Sequence, residues 1–453
     1  MINSVNSYNV NKGYEAKAVA EVSSQTCSKP SFGMNFPFFQ SDSAGVKPNI
    51  TLRTKLNKHE LNQYNNLINS IDKTSRKRVE VLLKKGILLN SNSQDKSTVL
   101  DNLNKIAEMP RAKGLDSVNL IQSTIEILDD PFKSTQKFGD IPENYKSEVI
   151  STQINDSGNK MSVIEAEKAV NVNSSGTCPA ASIQFSLAQK APAEFARFVE
   201  GVSSPEMAVE KEISLENLAD TTLDAVWLLN AFEIPYTMND FCKANLKFAP
   251  DKNALLRARM QTTNQDNQER SAVDVLLQST FMNVGSQQTY NSLTDTRAGK
   301  FNEKDTGLVE FEKTFTESIV DDKNKITLIN QIIDENERLV GYESDLSKLK
   351  QQILDTLAQD ENIIIGYTFV DRNNNLLGGH EITIVGSRKD SAGRTYLICN
   401  DSDDKYFGAI EYLADDLLPK IHHATFPKNV VEKDLDFQPN WIEGLKSYKE
   451  MKK

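Results

Sequence analysis

Three runs near the C-terminus, IIIGYTFV (363–370), HEITIVG (380–386) and RTYLICN (394–400), decide how this chain is read. Each is rich in β-branched and aromatic residues, and turn-forming segments separate them at 373–375 (NNN) and 390–393 (DSAG). Runs of this kind predict an antiparallel meander of three strands. A short helix is expected beyond it, over 415–423 (DDLLPKIHH).

Upstream the texture is helical. Leu61, Tyr64, Ile68 and Ile71 recur at helical spacing, as do Val79, Leu82 and Leu83, then Leu100, Leu103 and Ile106, then Val118, Ile121, Ile125 and Leu128. Gly86, Pro110, Gly114 and Pro131 punctuate these runs. Four or five short helices thus form a helical N-terminal domain at 51–145, with 136–142 (QKFGDIP) as a linker or turn. Helices return from 215 to 357. The fold class expected is α+β, with the helical domain followed by a second domain at 146–430 that carries the sheet. Residues 1–50 are rich in Ser, Asn, Gly and Lys and read as disordered, except for the island FGMNFPFF at 32–39, a docking segment or a loop packed on its own domain. Residues 431–453 read as a tail.

Composition narrows the functional classes. A chain of 453 residues has room for two or three domains, and 38% hydrophobic with 25% charged residues is ordinary for a globular protein. A net charge of −11 argues against nucleic acid or an anionic membrane as partner. The four cysteines, Cys27, Cys178, Cys242 and Cys399, show no CxxC spacing, so no metal site and no cofactor is expected. The N-terminus lacks a basic segment followed by an apolar run, and no stretch reaches the ~18–20 apolar residues of a membrane span.

Residues 174–182 read SSGTCPAAS and open the run SIQFSLAQKAPAEFARFVEG. Thr177 or Ser175 can cap a helix there, and Pro179 suits a first turn because its missing amide hydrogen would be unpaired anyway. Cys178 therefore sits at a helix N-terminus, where the dipole favours thiolate and the free amides can donate to an oxyanion. His380 follows two glycines and opens the strand HEITIVG. A residue at the start of one antiparallel strand faces the end of its neighbour, which brings Asn400 or Asp401 beside His380. Either can hold the imidazole tautomer. His422 and His423, without a third ligand at metal spacing, read as helix-end or surface residues.

The order of cysteine helix, histidine strand and strand ending in asparagine resembles the papain-like cysteine peptidase superfamily. Its nucleophile motif, Gly-x-Cys-Trp-Ala-Phe-Ser, is matched at Gly176, Cys178, Ala180 and Ser182. Its Asn-Ser-Trp-Gly motif is matched at Asn400 but not beyond, and relatives with aspartate at this step keep Asp401 as the alternative. The family's oxyanion glutamine falls on Val172, with Asn173 beside it as a substitute. About 200 residues separate Cys178 from His380, against roughly 130–150 in papain and cathepsins. The resemblance therefore implies a helical insertion at about 251–357. It implies a hydrolase acting on a protein or peptide substrate, cleaving peptide or isopeptide bonds through Cys178, His380 and Asn400, with 51–145 as a prodomain or recruiting domain. The alternatives are a transamidase or deamidase using the same residues, or a non-catalytic interaction module.

Overall fold

The computed structural model describes residues 53–170, 175–262, 269–298, 307–403 and 408–434. The readings made for 1–50, for the island at 32–39 and for most of the tail lie outside these residues.

Four helices come first: α1 (Lys58–Ser70), α2 (Lys73–Lys84), α3 (Val99–Glu108) and α4 (Ser117–Asp129). Their starts are set by side chains. Asn57 Oδ1 accepts from the Glu60 amide at 2.9 Å while Glu60 reaches back to the Asn57 amide at 2.8 Å. Thr98 and Asp101 form the same reciprocal cap on α3. Then come α5 (Lys146–Asp156), α6 (Val163–Ala169), α7 (Cys178–Lys190) and α8 (Pro192–Val202). A small sheet of β1 (Val209–Ser214), β2 (Tyr236–Met238) and β3 (Lys243–Phe248) surrounds α9 (Thr222–Ala231) in sequence. After it follow α10 (Ala254–Thr262), α11 (Ala272–Gly285), the short pair β4 (Tyr290–Asn291) and β5 (Thr296–Arg297), and α12 (Glu310–Asp321).

The remaining elements are β6 (Lys325–Ile329), the hairpin β7 (Gln331–Ile333) and β8 (Leu339–Tyr342), α13 (Leu346–Ala358), β9 (Ile363–Val370), β10 (Leu376–Lys389), β11 (Thr395–Asn400), β12 (Ala409–Leu413), α14 (Ala414–Leu417), β13 (Ile421–Pro427) and α15 (Lys428–Val431). The main sheet runs β12-β11-β10-β9-β13-β6, antiparallel throughout. The expected meander is its centre, extended by three further strands. The helix expected over 415–423 is cut short: α14 ends at Leu417, and His422 and His423 lie buried on β13. They are neither helix-end nor surface residues, because β13 fills the slot between β9 and β6.

Alternation along the strands divides two cores. Ile363 and Ile365 of β9 join Ile382, Ile384, Leu397 and Cys399 and pack on Leu349 and Ile353 of α13. Ile364 faces the other way, into a larger cluster formed by the helices. That cluster contains Leu67, Leu103 and Ile125 of the first four helices together with Ile183, Phe195 and Phe198 of α7 and α8 and Phe281 of α11. It thus runs across the boundary expected at 145/146. Full burial of one such side chain contributes about 1.5–3 kcal/mol, so the N-terminal helices are tied to α7 by the interior of the protein.

Two expectations change. The segment 251–357, expected as a helical insertion, is not helical throughout, since β4 to β8 lie within it. Every residue of α11 is buried among α4, α7, α8, α10 and α12, and β6 is a strand of the main sheet. A helix apolar on only one face would show in the sequence as a stripe; α11 packs on all sides. The linker read at 136–142 is partly interior: Gln136, Phe138 and Gly139 are buried, as are Ser134 and Thr135 just before it. Arg257 and Arg270 stack on the Phe138 ring, and Arg257 donates to the Phe138 and Gly139 carbonyls.

Candidate active site

Cys178 is the first residue of α7, with Pro179 in its first turn. Ala180 and Ala181, fully buried, let the helix approach its neighbours closely, and Ile183, Phe185 and Leu187 anchor it. Neither Thr177 nor Ser175 caps it by side chain. The Thr177 hydroxyl donates instead to Gln278 Oε1 of α11 at 2.9 Å, and Ser175 Oγ donates to the Gln136 carbonyl at 2.8 Å. The Thr177 side chain thus leaves the first-turn amides of α7 uncapped among the described residues, as an oxyanion site requires.

His380 stands on β10, opposite Tyr367 of β9, and its ring meets the Tyr367 ring edge-on at 5.9 Å between centroids. Its Nε2 lies 2.8 Å from Asp401 Oδ1, and the Cys178 sulfur is near enough to act on the charge of the ring. An ionised carboxylate only accepts, so Nε2 carries the proton given to Asp401 and Nδ1 is left for the cysteine. Burial disfavours the charged ring, but its hydrogen bond to Asp401 and the nearby Cys178 sulfur outweigh this and hold the imidazole well above its ordinary value. Burial likewise opposes ionisation of Asp401, and the His380 contacts hold its carboxyl below the ordinary value. The Asp403 amide, 3.0 Å from the same Oδ1, fixes the carboxylate.

Asn400, the first choice as third member, is not on His380. Thr383 pairs with Asn400 across β10 and β11. Opposed residues share a face, so Asn400 lies with Thr383, whereas Asp401 falls on the face of Ile382 and His380. Asn400 is buried, and its Oδ1 accepts no hydrogen bond among the described residues. Asn173 and Val172 lie outside the described residues. Among the other thiols, Cys399 is buried in the sheet core, where burial pushes its pKa up, and Cys242 is exposed.

Sequence reasoning missed the frame that joins the cysteine loop to the aspartate loop. Thr135 Oγ1 and the Gln136 amide both donate to the Ser402 carbonyl, at 3.0 and 3.1 Å, and Ser402 Oγ donates to Gln136 Oε1 at 2.9 Å. Gln136 therefore holds both Ser175 and the residue after Asp401. Beneath it runs a buried relay. Gln184 donates to Asp274 at 2.7 Å, Gln278 Nε2 to Gln184 Oε1 at 3.0 Å and to the Thr135 carbonyl at 2.8 Å. Asp295, pushed up to about 6 by burial, accepts from Tyr290 and from the Gly176 amide two residues before the cysteine. No local pattern marks these glutamines; the contacts join helices far apart in sequence.

No protein-family model matches the chain, and no match was found among curated proteins. The class defined here is therefore the architectural one: an α+β protein with a six-stranded antiparallel sheet between helices. Among the described residues, no helix is long and apolar enough to cross a membrane.

Proposed function

We propose that the protein is a papain-like cysteine hydrolase that cleaves peptide or isopeptide bonds. The supporting observation is the His380–Asp401 hydrogen bond with the Cys178 sulfur close to the ring, at the start of a buried helix. The Cys178 sulfur attacks the substrate carbonyl carbon, and the first-turn amide of α7 stabilises the oxyanion. His380 gives its Nδ1 proton to the departing amine as the tetrahedral intermediate collapses to a thioester. Water, deprotonated by the same imidazole, then releases the acid and restores the thiol. Asp401, in place of Asn400, holds the ring.

A thiol-reactive acyl probe, with mass spectrometry of the adducts, tests the reading. Cys178 is expected to be acylated in preference to exposed Cys242, and His380→Ala to slow this by about 100-fold or more, the usual range for a general acid–base group. Equal, slow labelling of Cys178 and Cys242 would overturn the proposal in favour of a non-catalytic module.

A further inference from the structure

We propose that Glu310, His422 and His423 form a binding site for a divalent transition-metal ion of the zinc class, distinct from the cysteine site. Consecutive residues of a regular strand point to opposite faces, so tandem histidines ordinarily diverge. Here β13 slips against β9: Ile421 pairs with Tyr367 and His423 with Gly366, so one strand spends an extra residue, His422. Such a bulge re-aims side chains. The Asn330 amide and side chain secure it through the His422 and Ile421 carbonyls, at 2.6 and 3.0 Å. Both imidazoles then meet the first residue of α12, Glu310.

The three ligand atoms form a triangle. His422 Nδ1 and His423 Nδ1 are 3.0 Å apart, and Glu310 Oε1 stands 3.5 and 3.6 Å from them. The carboxylate is too far from either nitrogen for a hydrogen bond. The separations instead approach the edge of a tetrahedron with bonds of about 2.0–2.1 Å, which is about 3.4 Å. Two imidazoles and one carboxylate, with a fourth position for water, are a zinc-type donor set. Glu310 is partly exposed, whereas both histidines are buried.

The surroundings orient the ligands as such a site requires. His423 Nε2 lies 2.7 Å from Glu381 Oε1. The carboxylate must accept there, which leaves the Nδ1 lone pair facing the other two ligands. Lys313 is engaged by the second Glu381 oxygen at 3.2 Å. Gly366 has no Cβ, and one built there would collide with the His423 ring.

The test uses the full chain carrying Cys178→Ala together with Cys242→Ser, which removes the site thiol and the exposed thiol as rival ligands, after chelator treatment. With Zn²⁺ in calorimetry, one ion per chain is expected. Affinity should fall at least about tenfold in His422→Gln and Glu310→Gln, and by about 10–100-fold in Glu381→Gln. Circular dichroism checks that each variant folds. Independently of those variants, Co²⁺ added to the chain carrying Cys178→Ala and Cys242→Ser should give d–d bands without a thiolate-to-cobalt charge-transfer band. Failure to retain an ion, a charge-transfer band, or unchanged affinity in folded His422→Gln would each overturn the proposal, leaving the cluster a hydrogen-bonded relay.

Discussion

At the scale of the residue, the difference between Asn400 and Asp401 is one of parity. A sequence shows that β11 ends near the start of β10, because both runs and their turn are locally marked. It does not show the register, and one step of register exchanges the faces. Ile382, Ile384, Leu397 and Cys399 share a core, so alternation from Cys399 to Asp401 carried the signal. It needed the Ile384–Cys399 pairing to be read. The assignment has a titration consequence. The His380 imidazolium, held above its ordinary value, contributes stability below about pH 6.5. That contribution is lost as pH rises through the raised folded value. Asp401→Asn removes the charge and should lower the His380 pKa, followed through its ring resonances by NMR. Asn400→Ala should leave that titration in place. A His380 midpoint that moves with Asn400 and not with Asp401 would refute the assignment.

At the scale of the element, the three central strands and the helix start at Cys178 were legible, whereas β13 and the strands within 215–357, expected as helix, were not. The cap motifs of α1 and α3 and the proline of α7 are local chemistry, fixed within a few residues. The bulge in β13 and the burial of α11 arise from neighbours far away in sequence. Gly366 is where the bulge can be tested. A methyl group there meets His423 Nε2 and Nδ1 at 2.6 and 2.8 Å, and β9 is held between β10 and β13, so it cannot retreat. Gly366→Ala is expected to cost about 1–3 kcal/mol, the usual strain of overpacking, seen as a lower urea midpoint. An unchanged midpoint would mean that the ring swings aside freely and that the bulge does not fix it.

At the scale of the whole molecule, the first four helices belong to the interior of the nucleophile helix. A detachable prodomain covers a surface; here Leu103 and Ile125 share a cluster with Ile183 and Phe198. Thr135 and Gln136 also hold the Ser402 loop beside Asp401. A chain starting at Lys146 would expose that apolar surface. We expect it to unfold without cooperativity in a thermal scan and to lose selective Cys178 labelling. A stable, more reactive fragment would instead identify 51–145 as an inhibitory cover.

The hydrogen bonds between Gln136 and Ser402 also impose an order in time. They close a loop of 266 residues, and such distant contacts form slowly, after nearer ones have reduced the entropy of closure. While the chain is being synthesised, Cys178 leaves the ribosome long before His380 and Asp401. The nascent protein carries its nucleophile without its base, so the proposed chemistry waits until the last strands have been made.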